Sequence, residues 1–349
     1  MNATIVAVDL AKNIFELATA DSDWHITQRQ RLSRTKFLGF FVQLAPCQVV
    51  MEACGSAHYW ARRIARLGHT VRLLPAHYVK AYVRRNKTDQ ADAAALIEAA
   101  RCAEIREVPV KTVEAQQIQS LHRLRSQWMS TRQRYVNTLR GILREFGFAI
   151  PLGINAAKEQ IGAAIAEPQS EVPQALRPTL CEMLREIRLL EDKIADVERQ
   201  LNALTRTDVR LQQLRQIPGI GALTSTALRA IVGDIQRFPT ARHFASWLGL
   251  TPNERSSAET RRLGKISKQG DVYLRTLLVH GARSVLLAAH RAERAGHSLD
   301  RLRRWALDRE RQRGHNKATV ALANRLARIV WATWKHERAF DGNWSTQAN

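Results

Sequence analysis

Two short, largely apolar runs, Ile5-Val6-Ala7-Val8 and Gln48-Val49-Val50-Met51, each end on an acid, Asp9 and Glu52. Such runs read as strands buried on both faces, the situation of a sheet covered by helices. The neighbouring segments fit. Ile14 to Thr19 and Trp24 to Gln30 read as further strands of a meander. Phe37 to Leu44 reads as a helix, Tyr59 to Leu67 as a helix stopped by Gly68, and Val71 to Leu74 as a fifth strand. Helix-forming residues then run from Thr88 to Cys102. This order predicts an α/β domain with a mixed sheet over residues 1–110.

The periodicity then changes. Ile118, Leu121, Leu124, Trp128, Leu139 and Leu143 recur at helical spacing within Val113 to Phe146, predicting one long amphipathic helix. Residues 147–178, richer in Pro, Gly and Ala, read as a turn of the chain. Leu180, Leu184, Ile187, Leu190, Ile194, Val197, Leu201 and Leu204 then step in a coiled-coil-like pattern. Residues 111–208 are thus a helical segment: an antiparallel hairpin, a dimerisation arm, or a layer packed on its own domain. A third region, 209–340, is mainly helical, and 341–349 reads as a flexible tail. Within the third region, Ile217-Pro218-Gly219-Ile220-Gly221 precedes a small-residue helix, Ala222 to Ala230. The pattern is that of a helix-hairpin-helix turn, in which Gly219 and Gly221 let main-chain N–H groups approach a phosphate; a plain inter-helix turn is the alternative.

Charge points to the partner. Lys and Arg number 54 against 32 Asp and Glu, a formal charge of +22. A chain this basic calls for a polyanion, and nucleic acid is the usual one; a ribosome-like structural role or an anionic membrane surface is the bland alternative. No stretch approaches the ~20 apolar residues of a bilayer span. Met1 to Ala7 runs into a strand without a cleavable signal pattern, and Cys47, Cys54, Cys102 and Cys181 lack CxxC spacing. The expectation is a reducing cytoplasm.

Two sets of residues carry chemistry. Asp9 and Glu52 end strands, and Asp89 and Asp92 lie three apart at a helix start, on one face. Strand ends share the edge where ligands bind in α/β sheets. Four like charges there repel unless a cation sits among them, and all-oxygen ligands favour Mg²⁺ or Mn²⁺. Two such ions about 3.5–4 Å apart clamp the attacking and leaving oxygens of a phosphodiester. Taken singly, Asp89 is a dipole-complementing helix residue and Asp9 a loop cap; together the four have the arrangement of ribonuclease-H-like nucleases. The second set is a basic polar loop after Gly249-Leu250-Thr251-Pro252, holding Arg255, Ser256, Ser257, Arg261, Arg262, Lys265, Lys268 and, beyond it, Arg275. A serine among arginines suits attack on a phosphate, although serines in basic loops mostly bind phosphate or solvent. Further on, Arg301 to His315 reads either as an RNA-binding segment or as a solvated helix face with Trp305 in the core, and Ala318 to Trp334 reads as core.

Several segments occur in a fixed order: Val8-Asp9-Leu10-Ala11-Lys12, Met51-Glu52-Ala53, Lys87-Thr88-Asp89-Gln90-Ala91-Asp92-Ala93, Ile217-Pro218-Gly219-Ile220-Gly221, Phe238-Pro239-Thr240-Ala241-Arg242, Gly249 through Ser257, and Lys265 through Gly270 with Tyr273-Leu274-Arg275. Through these the chain resembles, over nearly its whole length, the DEDD transposases of bacterial insertion sequences, the insertion-sequence-110 family guided by a bridge RNA. The related site-specific DNA invertases share the plan. The resemblance implies a RuvC-like first domain holding Mg²⁺ through Asp9, Glu52, Asp89 and Asp92, and a transposase domain whose serine forms a phosphoserine link to DNA. It also implies donor and target DNA, a structured noncoding guide RNA, and a homo-oligomer, dimer or tetramer, with shared active sites. The family's serine lands on Ser257; the family often has Gly next, here Ala258, which leaves Ser256 open beside it. The competing readings are a RuvC-like junction-resolving endonuclease using water and a non-enzymatic nucleic-acid scaffold.

Overall fold

The computed structural model describes residues 4–83, 89–257, 260 and 262–342, without the side chains of Asp89 and Gln90. The chain divides into two compact units, Met1–Glu114 and Ala115–Asn349.

The first unit is a five-stranded mixed sheet. Strands β1 (Ile5–Leu10), β2 (Ile14–Ala20) and β3 (Ile26–Ser33) form an antiparallel meander. After helix α1 (Phe37–Val42), strand β4 (Gln48–Glu52) pairs parallel with β1. Helix α2 (Ala57–Ala65) then leads to β5 (Thr70–Leu74), parallel to β4, giving the order β3-β2-β1-β4-β5. Helix α3 (Ala76–Val79), a 3-10 turn (Lys80–Tyr82) and α4 (Asp89–Arg101) complete the unit. The central strands are buried on both faces, as their apolar runs require. Val6, Val8, Phe15, Leu17, Val49, Met51 and Leu73 pack with Phe37 and Phe41 of α1 and Trp60 and Ile64 of α2. On the other face Ile5, Ala7, Ala18, Ala20, Val50 and Leu74 receive Ala93, Leu96, Ile97 and Ala100 of α4. The edge strand β3 alternates half-buried and exposed residues, with Arg29 and Arg31 among the exposed. Charged residues on an edge discourage further strand pairing.

In the second unit, α5 (Val113–Arg144) and α7 (Arg177–Thr207) are antiparallel: Arg125 pairs with Glu198 at 2.7 Å and Arg132 with Glu191 at 3.6 Å, so moving forward on one helix moves back on the other. Between them lies α6 (Ile154–Ala166), in the stretch that reads from sequence as a turn. Its short length and flanking Gly and Pro hide it, but Ala157, Ile161, Ala164 and Ile165 close the end of the hairpin against Leu139, Leu143 and Leu184. The stripe on α7 holds from Leu180 to Leu201, after which Thr205 is buried and Leu204 is exposed. A 3.6-residue turn drifts off a 3.5-residue repeat over that length.

The remainder is helical: α8 (Val209–Arg215), α9 (Ala222–Val232), α10 (Ala241–Trp247), then a hairpin of β6 (Pro252–Glu254) and β7 (Leu263–Ile266), then α11 (Val272–Arg294), α12 (Arg301–Arg313) and α13 (His315–His336). Asp208, Thr240, Asp271 and Asp300 cap helix starts through their side chains. Ile217, Ile220, Leu228, Phe244, Leu278, Leu286, Leu302, Leu322, Leu326 and Val330 form one core, so Ala318 to Trp334 is core as its spacing predicts. Helix α11 corrects one expectation: it is long and apolar enough to cross a membrane by length and composition. Its apolar side, Leu274, Leu278, Ala282, Val285, Leu286 and Ala289, is buried in this core.

Candidate active site

The acid site follows from strand register. Val8 lies beside Met51 in the parallel β1–β4 ladder, so the next residues, Asp9 and Glu52, are neighbours at the same sheet edge. Side chains alternate between faces. Val8 and Met51 belong to the α1–α2 face, and Asp9 and Glu52 therefore turn to the α4 face. On the other side Asp9 pairs with Glu16 of β2, and Glu16 with Arg31 of β3. One row, Glu52-Asp9-Glu16-Arg31, thus crosses four strands. Glu16 is 5% exposed and ion-paired to Arg31.

Helix α4 lies over this face. Asp92 is half-buried one turn before Leu96, a core residue of the same face. Arg72 of β5 donates to the carbonyl of Ala100 at 3.2 Å and to Gln48, the first residue of β4, at 3.5 Å. The end of α4 is thereby fixed over the strand starts, and its 13 residues, about 20 Å of helix, run back toward the ends where Asp9 and Glu52 lie. Asp89 opens α4, but its side chain lies outside the described residues.

The donor chemistry fits a hard divalent cation: Asp9 and Glu52 are half-buried carboxylates on one sheet face, and the helix packed on that face carries half-buried Asp92 and, as its first residue, Asp89. The negative field is registered by Cys54, whose thiol is pushed above its ordinary range by burial and then by the charges of Glu52 and Asp9. Among the described residues no three His, Cys, Asp or Glu side chains form a ready-made metal cluster.

The serine loop is a hairpin with a fixed base and an exposed tip. Pro252 pairs with Ile266 and Glu254 with Leu263; the Arg255 N–H donates to the Arg262 carbonyl at 2.9 Å, and Ser257 and Thr260 exchange backbone bonds. Ala258 and Arg261 lie outside the described residues. At the base, Gly249 and Gly270 have φ of +69° and +84°. A Cβ on Gly249 would meet the Gln269 carbonyl at 2.1 Å, and one on Gly270 the Trp247 carbonyl at 1.9 Å. Arg275 is buried here and donates to the Leu248 and Gln269 carbonyls at 3.0 and 3.1 Å, so it braces the base while Arg255, Arg262, Lys265 and Lys268 are exposed. Asn324 of α13 adds a bond to the Leu250 carbonyl at 3.1 Å. The two serines differ. Ser256 Oγ donates to Glu254 Oε1 at 2.8 Å and accepts the Arg262 N–H at 3.3 Å. Ser257 is exposed at the tip.

Of the turn glycines, Gly219 (φ +82°) is pressed on α11: a Cβ there would meet the Gly281 carbonyl at 2.6 Å. Gly221, the N-cap of α9, faces open space. Trp305 packs on the helical core, with the guanidinium of Arg325 4.5 Å and that of Arg309 5.8 Å from its ring centre.

Sequence reasoning missed three groups. Glu16 carried a signal, a lone acid inside the apolar run of β2. Glu254 carried none beyond its proximity to Ser256. The third is buried His122 of α5, whose Nδ1 lies 2.9 Å from the Tyr273 hydroxyl and Nε2 3.0 Å from Thr226 Oγ1. Thr226 donates its own proton to the Ala222 carbonyl at 2.6 Å, so His122 Nε2–H donates to Thr226 and bare Nδ1 accepts from Tyr273. Burial, and then Arg125, pull the His122 pKa down to about 4, in keeping with that neutral tautomer.

Comparison with known proteins gives the family of the chain. A model described as Transposase IS116/IS110/IS902 family matches residues 211–297, and one for DEDD-type transposases of the IS110 group matches residues 6–148. The chain is 42% identical to a probable family 20 transposase of Pseudomonas aeruginosa, over 97% of this chain and 99% of that one. It is 34% identical to the transposase for insertion sequence element IS1111A of Coxiella burnetii, over 96% and 91%. A pilin gene-inverting protein of Moraxella lacunata is 28% identical over 44% of this chain and 47% of its own. The chain belongs to the IS110/IS116/IS902 family of transposases, enzymes of DNA transposition.

Proposed function

We propose that this transposase cuts and rejoins DNA through a phosphoserine intermediate on Ser257. The observation that carries the reading is the contrast within the serine pair: Ser256 is tied into the hairpin, while Ser257 is exposed at its tip between the exposed cations Arg255 and Arg262. Attack forms the Ser257 Oγ–P bond and breaks the P–O bond to the leaving deoxyribose. The serine proton passes to a base, and the departing oxygen takes one up. A hydroxyl of the new DNA partner then reverses the step and frees Oγ. Guanidinium groups beside the tip stabilise the charge that develops on the phosphoryl oxygens.

The first unit, with its β3-β2-β1-β4-β5 sheet and its acids at one edge, is read as the RNase-H/RuvC-like domain. Asp9, Glu52, Asp89 and Asp92 would hold Mg²⁺ or Mn²⁺, which when bound supplies charge stabilisation at the phosphodiester oxygens. Gly221, at the helix-hairpin-helix-like turn, is read as a backbone contact to phosphate. Donor and target DNA are the substrates. A structured noncoding guide RNA selects them by base pairing, and the +22 charge grips both backbones. The working form is a homo-oligomer.

The test is recombination of DNA carrying the element's ends, with the flanking RNA co-expressed, followed by denaturing gels. DNA covalently attached to wild-type protein and absent from Ser257→Ala supports the reading. Products that are cut, never rejoined and independent of Ser257 favour a junction-resolving nuclease instead.

A further inference from the structure

Glu16 and Arg31 lie outside the residues to which the proposed chemistry gives a role, yet they continue the row Glu52-Asp9-Glu16 onto the edge strand. Burying a carboxylate is costly without a paired cation, and placing it directly beside Asp9 adds negative charge where an anionic phosphodiester must come. Packing alone does not call for it; an apolar residue would serve that face, as Ala18 and Ala20 do. What Glu16 does accomplish is to fix a guanidinium. The pair is asymmetric: the Glu16 side chain is 6% exposed and that of Arg31 64% exposed. A guanidinium presents five N–H donors in a planar fork, and most of this side chain faces solvent, where a phosphate can reach it. Arg31 lies two strand spacings from Asp9, about 10 Å, on the same face, with exposed Arg29 two residues before it. A nucleic-acid strand whose reacting phosphate sits at Asp9 and Glu52 brings an adjoining phosphate toward that rim.

We propose that Arg31 is a phosphate-binding residue at the rim of the acid site and that Glu16 is its positioning residue; this rests on the reading of the acid row as the site where DNA reacts. The test measures binding of the full-length protein to a fluorescein-labelled 20-base-pair DNA in EDTA across a salt series, beside Mn²⁺ calorimetry. Arg31→Ala is expected to weaken binding about tenfold and to lower the slope of log affinity against log salt by about 0.9, the mark of one lost phosphate contact. Arg31→Ala leaves a buried acid uncompensated, so the double variant Glu16→Gln/Arg31→Ala, which buries no charge, must show the same loss of slope. Glu16→Gln alone separates positioning from charge. Removing a negative group should tighten DNA binding if Glu16 only offsets Arg31, whereas a positioning role predicts weaker binding at an unchanged melting temperature. A wild-type slope in both Arg31 variants overturns the phosphate contact, and tighter binding by Glu16→Gln overturns the positioning role. If Asp9→Ala keeps full Mn²⁺ affinity, the acid-site reading fails, and that result is separate from the salt slopes.

Discussion

Ser256 Oγ donates to Glu254 Oε1 at 2.8 Å, so the first serine of the pair is a strut of the hairpin. Its neighbour Ser257 is exposed at the tip, where a DNA phosphate can approach. Ser257→Ala should abolish strand joining, a loss on the order of a thousandfold or more, with an unchanged melting temperature. Ser256→Ala should retain the covalent DNA adduct and lose only part of the rate, because the loss falls on hairpin geometry. Counting adducts on denaturing gels for both variants checks this, and an adduct formed by Ser257→Ala sinks the assignment.

The acid row makes a prediction about metal. Asp9→Ala and Glu52→Ala should each lower Mn²⁺ affinity by more than about tenfold in calorimetry, since each removes a carboxylate from the shared edge. In the metal-free protein the same changes should raise the melting temperature or leave it unaltered, because they relieve like-charge repulsion. A clear drop in stability without metal would mean that Asp9 and Glu52 are structural.

How much was legible in the sequence depended on what each pattern reports. The position of Asp9 near the end of β1 and of Glu52 at the end of β4 is legible because an apolar run buried on both faces has few interpretations, and the residue that ends it inherits the edge. Helix α6 was not visible: its stabilisation comes from Leu139, Leu143 and Leu184, which are distant in sequence. The serine loop read as irregular because β6 and β7 are short and exposed, with no apolar alternation to mark them. From sequence Arg275 reads as a nucleic-acid-binding cation with those of the loop, yet it is buried on two carbonyls, a tertiary fact. Charge count cannot tell a bracing arginine from one that meets a phosphate.

His122 gives a pH dependence. Its pKa is about 4 in the fold against about 6.5 when unfolded, so the fold favours the neutral ring. The stability it contributes is fully present above pH 6.5, falls as pH drops from about 6.5 to about 4, and is absent below that, an effect of about 3 kcal/mol. The physical event is protonation of Nδ1, which can then no longer accept from Tyr273. Urea unfolding of wild type and His122→Gln at pH 7 and pH 4.5 should show the wild type losing more stability between the two. Equal losses would show that His122 does not titrate as its burial implies.

The hairpin base predicts where the serine loop is intolerant. Gly270 holds φ +84°, and a Cβ there would lie 1.9 Å from the Trp247 carbonyl, a backbone atom that cannot rotate away. Gly270→Ala should therefore cost about 2 kcal/mol or more, by combining strain at positive φ with a forced shift of the segment before Leu248. That shift also moves the Leu248 and Gln269 carbonyls that Arg275 joins, so the damage reaches Ser257 through the hairpin. Gly264→Ala is the matched control: it lies in the same hairpin, where a Cβ meets nothing closer than 3.6 Å. Thermal melts and adduct yields should separate the two variants, with Gly270→Ala losing both and Gly264→Ala keeping both. Equal behaviour would mean that the base yields without strain and does not fix the serine.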